Sequence, residues 1–305
     1  IPFAYLEDEP SRLAALGLEG KQVAFRTSSG YFGSCNFSIL DASTVPEDYT
    51  REILDLKSPP DLDLSAKAHT GSISVADLST VWPEDIRHVG GKAANFGFLR
   101  RVIPESSPQA MAFTFDLWDD YMDQDLGGRT LREEIALRLE PLAQWPADIA
   151  ALTAALEEVR DLIKDTSDFS ANQRAAILDS LSSFETNRKL RFRSSTNVED
   201  SDAFVGAGLY DSYSGCIMDD IDGDDVGPSH CDPDQEEERG VFRAMRKVYA
   251  SFYNLNAYLE RLRHGVDESQ VGMALLVHYS FPDEIEAANG VAVSRRNSSF
   301  GSVSI

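Results

Sequence analysis

Apolar residues recur at the three- and four-residue spacing of an α-helix in several stretches of the chain. The stretch that follows Gly90-Gly91 ends before Pro104, and Thr130 with Glu133 forms a capping-box pattern at the start of the next one. The helices predicted from this spacing are Ala93–Val102, Leu131–Leu139, Ile149–Ile163, Ile177–Phe184 and Val241–Leu262.

Between the last two of these helices the period shortens from about 3.6 residues to about 2. Leu190 and Phe192 alternate with Arg191 and Arg193, which predicts a strand that carries both arginines on one face. Further strands are predicted at Lys21–Arg26, Ala110–Phe115, Val271–Val277 and Gly290–Val293. Because strands and helices are interspersed, the expected fold class is α+β or mixed α/β.

The segment Lys57–Asp61 contains paired prolines, which cannot continue a helix or a central strand. It therefore predicts a stiff polar linker, with a domain boundary near residue 70. We expect residues 1–70 to be an N-terminal extension of unknown role and residues 71–305 to form the main domain.

Composition adds limits on partners. The chain has 305 residues, of which 42% are hydrophobic and 26% charged, as in soluble globular proteins. No apolar run approaches the roughly 18 residues of a membrane span, so we expect no span. With 51 acidic and 28 basic residues the net charge is −23, which argues against nucleic acid and anionic lipid as main partners.

The charge is unevenly distributed. From Glu199 to Glu238 there are 14 acidic residues and no Lys or Arg, whereas Arg188, Lys189, Arg191 and Arg193 lie within six residues. A small polyanion such as ATP therefore remains a plausible ligand at a local cluster of basic groups.

Two segments have the composition of a phosphate-binding site. Gly90-Gly91-Lys92 combines close backbone approach, free helix N–H groups and a mobile positive charge. Arg193-Ser194-Ser195 combines a bidentate guanidinium with two hydroxyls. Taken alone, the first segment is also typical of an ordinary helix cap, and the second of a strand end with a solvated loop.

Together the segments resemble the ATP-binding domain of the pyruvate phosphate dikinase and phosphoenolpyruvate synthase family. Gly90–Leu99 resembles the family's GGKGANL helix start, and Arg193–Asp200 resembles its RSSATAED segment. Three later segments follow in the family's order. They are Gly208 with Asp211-Ser212 (FAGQxDT), Val248–Phe252 (VWASLF), and Met273–His278 followed by Asn289–Val293 (MAVxVQ and SGVxFT).

The resemblance implies an ATP-grasp-like domain that binds ATP for transfer of a phosphoryl group to a histidine carrier and then to pyruvate or a related acceptor. Lys92 and Arg193 would bind and polarise the ATP phosphates. The other ATP contacts implied by the family are Gly90, Gly91, Ser194, Ser195, Glu199, Asp200, Gly206, Gly208, Asp211, Val277 and His278.

The sequence also departs from the family. His278 stands where the family has Gln, Leu209-Tyr210 replaces a polar pair, and Phe204 is displaced from the family's phenylalanine. The family's Mg²⁺ ligands are expected beyond Ile305, so the second lobe is expected to be truncated. The phosphohistidine domain and the acceptor domain are expected outside this chain.

An acidic insert at residues 214–238 lies where the family needs only a short connection. It resembles the Asp-rich calcium loops of thrombospondin type 3 repeats, which makes Asp220, Asp222 and Asp224 candidate Ca²⁺ ligands. A solvated acidic loop without a metal is the alternative.

Cys216 and Cys231 flank this insert and could form a disulfide, which would imply an exported protein, whereas the family resemblance implies the cytoplasm. The compartment is left open. The alternative function is a catalytically degenerate ATP-grasp-like binding or surface module with a calcium-binding loop.

Overall fold

The computed structural model describes residues 17–18, 21–29, 35–57, 59, 62, 64–145, 147–199, 204, 206, 208–224, 226–281, 293–296 and 301–304. The chain divides into two compact units, residues 1–59 and 60–305, at the paired prolines of the predicted linker. Within the described ranges no helix combines the length and the apolar character that crossing a membrane requires.

The first unit contains an antiparallel strand pair and a helix. Strand β1 (Val23–Ser29) pairs with β2 (Cys35–Asp41), with Val23 opposite Asp41. Helix α1 (Glu47–Lys57) follows. The predicted strand Lys21–Arg26 lies largely within β1, whereas β2 and α1 were not predicted.

The second unit is built on a five-stranded antiparallel sheet with the strand order β3-β4-β7-β5-β6. Its strands are β3 (Ser74–Val75), β4 (Ala110–Phe113), β5 (Leu190–Thr196), β6 (Ser212–Gly215) and β7 (Met273–Tyr279). A separate hairpin pairs β8 (Val293–Arg296) with β9 (Gly301–Ser304). The predicted strand Gly290–Val293 lies outside the described residues, except for Val293.

Helices lie between these strands, which confirms the mixed α+β class. They are α2 (Ile86–Val102), α3 (Phe115–Met122), α4 (Leu131–Leu139), α5 (Ile149–Asp161), α6 (Ala171–Ser180), α7 (Val241–Ser251) and α8 (Leu255–Arg263). The predicted capping box is confirmed, because the Thr130 hydroxyl accepts from Glu133 N and Thr130 N donates to the Glu133 carboxylate.

The single long helix predicted over Val241–Leu262 is wrong. The chain ends α7 at Ser251 and starts α8 after Asn254, whose backbone is extended. Tertiary contacts stabilise the break. The buried Arg261 guanidinium donates to Phe252 O at 2.9 Å, and the Asn254 amide donates to Leu209 O at 3.2 Å. The apolar spacing continued across the break, so periodicity alone could not detect it.

The helical spacing of Ala93, Phe96, Leu99 and Val102 predicts an apolar face of α2, but only Ala93 and Phe96 pack against the core. Leu99 and Val102 are exposed, whereas Ala93 and Ala94 are buried against the sheet and Gly97 is buried against Leu78 and Val81. A Cβ on Gly97 would lie 2.5 Å from Leu78 O, so the helix approaches its neighbour too closely for a larger side chain.

A large core packs against the opposite side of β5, where Leu190 and Phe192 are fully buried. Its centre is aromatic: Trp118 meets the Tyr249 ring edge-on at 5.0 Å, and Tyr121 lies 4.6 Å from Phe169 between ring centroids. This core fixes β5, so that Arg191 and Arg193 are presented on the other face of the strand.

Candidate functional site

Helix α2 is broken at Gly90, the first glycine of the Gly-Gly-Lys segment. Gly90 has φ 75° and ψ 168°, a conformation that is almost confined to glycine. A Cβ at this position would lie 2.1 Å from the carbonyl oxygen of Ser195 on β5. The break therefore brings the helix start against the Arg-Ser-Ser segment.

Ser195 fastens the two segments together. Its buried hydroxyl donates to Val89 O at 2.7 Å and accepts from Ala93 N at 3.0 Å, on either side of the break. These two backbone groups flank Gly90, where the helical hydrogen bonding is interrupted. The Ser195 hydroxyl is thus engaged by the backbone of α2.

Lys92 reaches from α2 to the end of β5. Its ammonium donates to Glu199 Oε1 at 2.5 Å and to Ser194 Oγ at 3.1 Å. Gly206 packs on Glu199, because a Cβ there would lie 2.2 Å from Glu199 Cγ. Gly90, Lys92, Ser194, Ser195, Glu199 and Gly206 therefore form one cluster.

Beside this cluster an open cleft of about 320 Å³ lies over the sheet. Antiparallel pairing aligns Arg193 with Ser212, and Arg191 with His278, across neighbouring strands. Arg193 is exposed and forms no ion pair with any residue that the structure describes. The lining consists of Arg191, Arg193, Ser212, His278, Ser280 and Phe281.

His278 lies between two aromatic rings. It stacks with Phe96 of α2 at 6.2 Å between centroids, with an interplanar angle of 8°, and lies 6.3 Å from Phe281. Burial lowers the pKa of His278, the hydrogen bond to Tyr279 O opposes this, and the charges of Arg193 and Arg191 lower it further. Nδ1 lies 2.7 Å from that carbonyl, so in the neutral ring Nδ1 donates and Nε2 is left as an acceptor.

The remaining predicted contacts are placed elsewhere. Val277 is fully buried in the large core, and Gly91 is buried in α2. Gly208 has φ 79° with open space around it, and the Asp211 carboxylate accepts from the Asn254 amide at 3.1 Å. Asp200 lies outside the described residues.

The structure does not bring the predicted calcium ligands together. The Asp220 carboxylate accepts hydrogen bonds from Val241 N and Phe242 N at the start of α7. Asp222 and Asp224 each accept from a backbone N–H two residues ahead, as in Asx turns. Asp222 instead lies near His230 and Glu238, a group of exposed or half-buried side chains whose ligand atoms are within 4.8 Å of one another.

The possible disulfide of the sequence analysis is present. Cys216 and Cys231 are joined, with their Cα atoms 5.7 Å apart. The buried Asp219 carboxylate holds the enclosed loop in place by accepting from His230 N and Arg239 N, each at 2.8 Å.

Sequence reasoning missed several residues that line the cleft, namely Arg191, Ser212, Ser280 and Phe281, and the stacking residue Phe96. The alternation of Leu190 to Arg193 does place Arg191 beside Arg193, so that residue could have been found. Ser212 could also have been found, because Asp211-Ser212 matches the family's FAGQxDT segment. Phe96 is placed at the cleft only by the packing of α2 on the sheet.

The described residues of the second unit form a mixed α+β domain in which the arginine-bearing face of an antiparallel sheet meets a glycine-broken helix. The chain belongs to the family described as pyruvate phosphate dikinase, AMP/ATP-binding domain, whose model matches residues 86–305. This match confirms the resemblance inferred from the sequence motifs.

One distant relative is named as a phosphotransferase. Residues of this chain are 24% identical over 204 positions to a rifampicin phosphotransferase of Streptomyces sviceus. The match covers 67% of this chain and 20% of that protein. The chain thus spans about a fifth of that relative.

Proposed function

We propose that this chain binds ATP in the cleft over β5 and β7 as the nucleotide-binding part of a dikinase-like phosphotransferase. The observation that carries the proposal is the break at Gly90, which seats Lys92 against the strand that bears Arg193. Family membership supports ATP as the ligand. We further propose that the domain is one lobe of an ATP-grasp-like fold.

Arg193 and Arg191 supply the positive charge for the phosphates. Both side chains project from the same face of β5 into the cleft, where guanidinium groups can bind phosphate oxygens bidentately. Lys92 is held by Glu199 and Ser194, so its ammonium is positioned before a ligand arrives. Phosphoryl transfer depends mainly on such positioning and on neutralising negative charge.

His278 has the properties of an adenine contact. Phe96 and Phe281 flank it, and aromatic faces at such a site provide stacking surface for a base. Its free Nε2 is an acceptor, which suits the amino group of adenine. A neutral His here would take the place of the family's Gln without losing hydrogen bonding.

The described residues do not fit a magnesium site in this cleft. Its lining contains no carboxylate among the described residues, and the nearby Glu199 already binds Lys92. Mg²⁺ prefers oxygen ligands, chiefly carboxylates and phosphates. The lining residues therefore supply no carboxylate ligand to Mg²⁺ in the proposed complex.

The proposal is tested by isothermal titration of Mg-ATP into the wild type and into Lys92→Ala and Arg193→Ala. Each substitution removes a charge-assisted contact, so each should raise Kd about tenfold or more. Arg160→Ala on α5, outside the lining of the cleft, is the matched control and should leave Kd unchanged. The proposal fails if the wild type does not bind, or if neither substitution weakens binding.

The phosphoryl acceptor is a separate question. We propose that a histidine carrier and an acceptor domain belong to the same assembly, as the family resemblance implies. AMP release by the full-length protein with pyruvate, glucan or rifampicin as acceptor distinguishes the candidates, and an acceptor that gives no turnover is eliminated.

A further inference from the structure

A second concave site lies beside the cleft, at the β6 edge of the sheet. Its volume is about 330 Å³, and its walls are the start of β5, strand β6, the N-terminal half of α7 and the disulfide loop. Its charged lining residues are Lys189, Arg191, Arg239, Arg243, Lys247 and Asp232. We call this site the basic recess.

The recess brings together five cations and one carboxylate in a chain whose net charge is −23. Lys189 is neutralised by Asp232 at 2.7 Å. Arg191, Arg239, Arg243 and Lys247 form no ion pair with any residue in the described part of the chain. Four positive charges are therefore concentrated without a direct ion pair among the described residues, and the Asp165 carboxylate offsets the charge of Lys247 only in part.

The backbone holds these cations in place. Arg239 N donates to the buried Asp219 carboxylate, and Arg239 O accepts from Cys216 N at 2.9 Å. Arg243 and Lys247 are four residues apart and so lie on one face of α7. Lys247 Nζ lies 5.1 Å from the centre of the Tyr213 ring.

Burial and the concentration of positive charge lower the pKa values of two of these cations. Burial lowers the pKa of Lys247, and repulsion from Arg243, Lys164 and Arg239 lowers it further. Burial likewise lowers the pKa of Arg191, with repulsion from Arg193 as the next cause. A bound anion would relieve this repulsion, because opposite charge favours the protonated state.

We propose that the basic recess binds a small anion that carries two or more phosphate groups. Three guanidinium groups match phosphate oxygens bidentately, and the Ser214 and Ser229 hydroxyls add neutral hydrogen-bonding groups at the wall. The surplus of four positive charges suits a multiply charged ligand. The limited volume of about 330 Å³ and the acidic chain favour a small molecule over nucleic acid. The recess shares Arg191 with the neighbouring cleft, but Arg239, Arg243 and Lys247 line the recess alone.

The probe is inorganic pyrophosphate, titrated calorimetrically into the wild type at low ionic strength. Arg243→Gln and Lys247→Gln should each weaken binding about tenfold or more, because each removes one charge-assisted contact. Arg160→Gln is the matched control for loss of a positive charge elsewhere. Thermal melts followed by circular dichroism verify folding, and if one recess variant does not fold the other carries the test.

Two further arms separate the possible sources of binding. Lys92→Ala should weaken pyrophosphate binding less than Arg243→Gln and Lys247→Gln do, because Lys92 lies outside the lining of the recess. Citrate, which matches the charge without phosphate geometry, should bind at least about tenfold more weakly. The proposal is overturned if pyrophosphate does not bind the wild type or if citrate binds equally well. It is also overturned if Lys92→Ala weakens binding while Arg243→Gln and Lys247→Gln do not, since the anion would then occupy the ATP cleft.

Discussion

At the scale of single residues, Gly90 is the position where backbone conformation and close packing coincide. Its φ of 75° disfavours any side chain, and a Cβ would also collide with the Ser195 carbonyl. The two hydrogen bonds of the Ser195 hydroxyl, to Val89 O and from Ala93 N, depend on the close approach of α2 to β5. Glycine here is required by two separate physical constraints.

We therefore expect Gly90→Ala to destabilise the protein more than a Gly→Ala substitution at a site with positive φ but free space for the new Cβ. The strained conformation costs about 1–3 kcal/mol, and the forced displacement of β5 adds about 1–3 kcal/mol. Urea denaturation measures the free energy of unfolding. Gly71→Ala is the matched control, because Gly71 has φ 79° with no atom within 4 Å of its Cβ position. Equal losses in the two variants would contradict the role assigned to Ser195.

At the scale of elements, the start of α7 shows how an acidic residue of the insert is used. Asp220 accepts hydrogen bonds from the first N–H groups of this helix, where a negative charge is also favoured by the helix dipole. Gly240 precedes the helix, and a Cβ on it would lie 2.2 Å from Asp220 Oδ1. The carboxylate thus caps a helix.

Burial raises the pKa of Asp220 to about 6, while the hydrogen bonds from Val241 and Phe242 and the charge of Arg174 oppose the rise. Since this value lies above the usual 3.8, the folded state binds the proton more tightly than the unfolded state. The resulting stability is present at low pH and is lost as the pH rises through about 6.

We expect Asp220→Asn to remove this pH dependence while its amide oxygen still accepts from α7. Between about pH 4.5 and about pH 7.5 the wild type should lose about 2 kcal/mol that the variant keeps. Urea denaturation at both pH values gives the difference. Asp224→Asn, on an exposed turn of the same loop, is the control and should follow the wild type. A parallel pH profile for Asp220→Asn would contradict the assignment.

At the scale of the whole molecule, the disulfide closes the loop from Cys216 to Cys231, which also forms a wall of the basic recess. The cross-link spans 15 residues, for which the chain-entropy model gives about 3 kcal/mol of stabilisation. Cys216→Ser should therefore lower the free energy of unfolding by about 3 kcal/mol.

Dithiothreitol should lower the wild type to the level of Cys216→Ser and leave that variant unchanged. Thiol titration of the denatured, unreduced wild type should find one free thiol of the three cysteines. Three free thiols, or a variant as stable as the unreduced wild type, would contradict the cross-link.

The sequence alone determined the class of fold, most of the helices of the second unit, the strand that carries the arginines, and the family. These features depend on local periodicity, capping and contiguous motifs, which nearby residues specify by themselves. The resemblance to the family assigned Gly90-Gly91-Lys92 and Arg193-Ser194-Ser195 to one ATP site.

Only the tertiary structure decided which of these residues meet. Strand register placed His278 beside Arg191, and close packing of small residues turned Leu99 and Val102 of α2 outward. The tertiary structure uses Asp220 as a helix cap. It also forms the basic recess from residues up to 58 positions apart, from Lys189 to Lys247. Such contacts depend on the packing of distant segments, which no local pattern encodes.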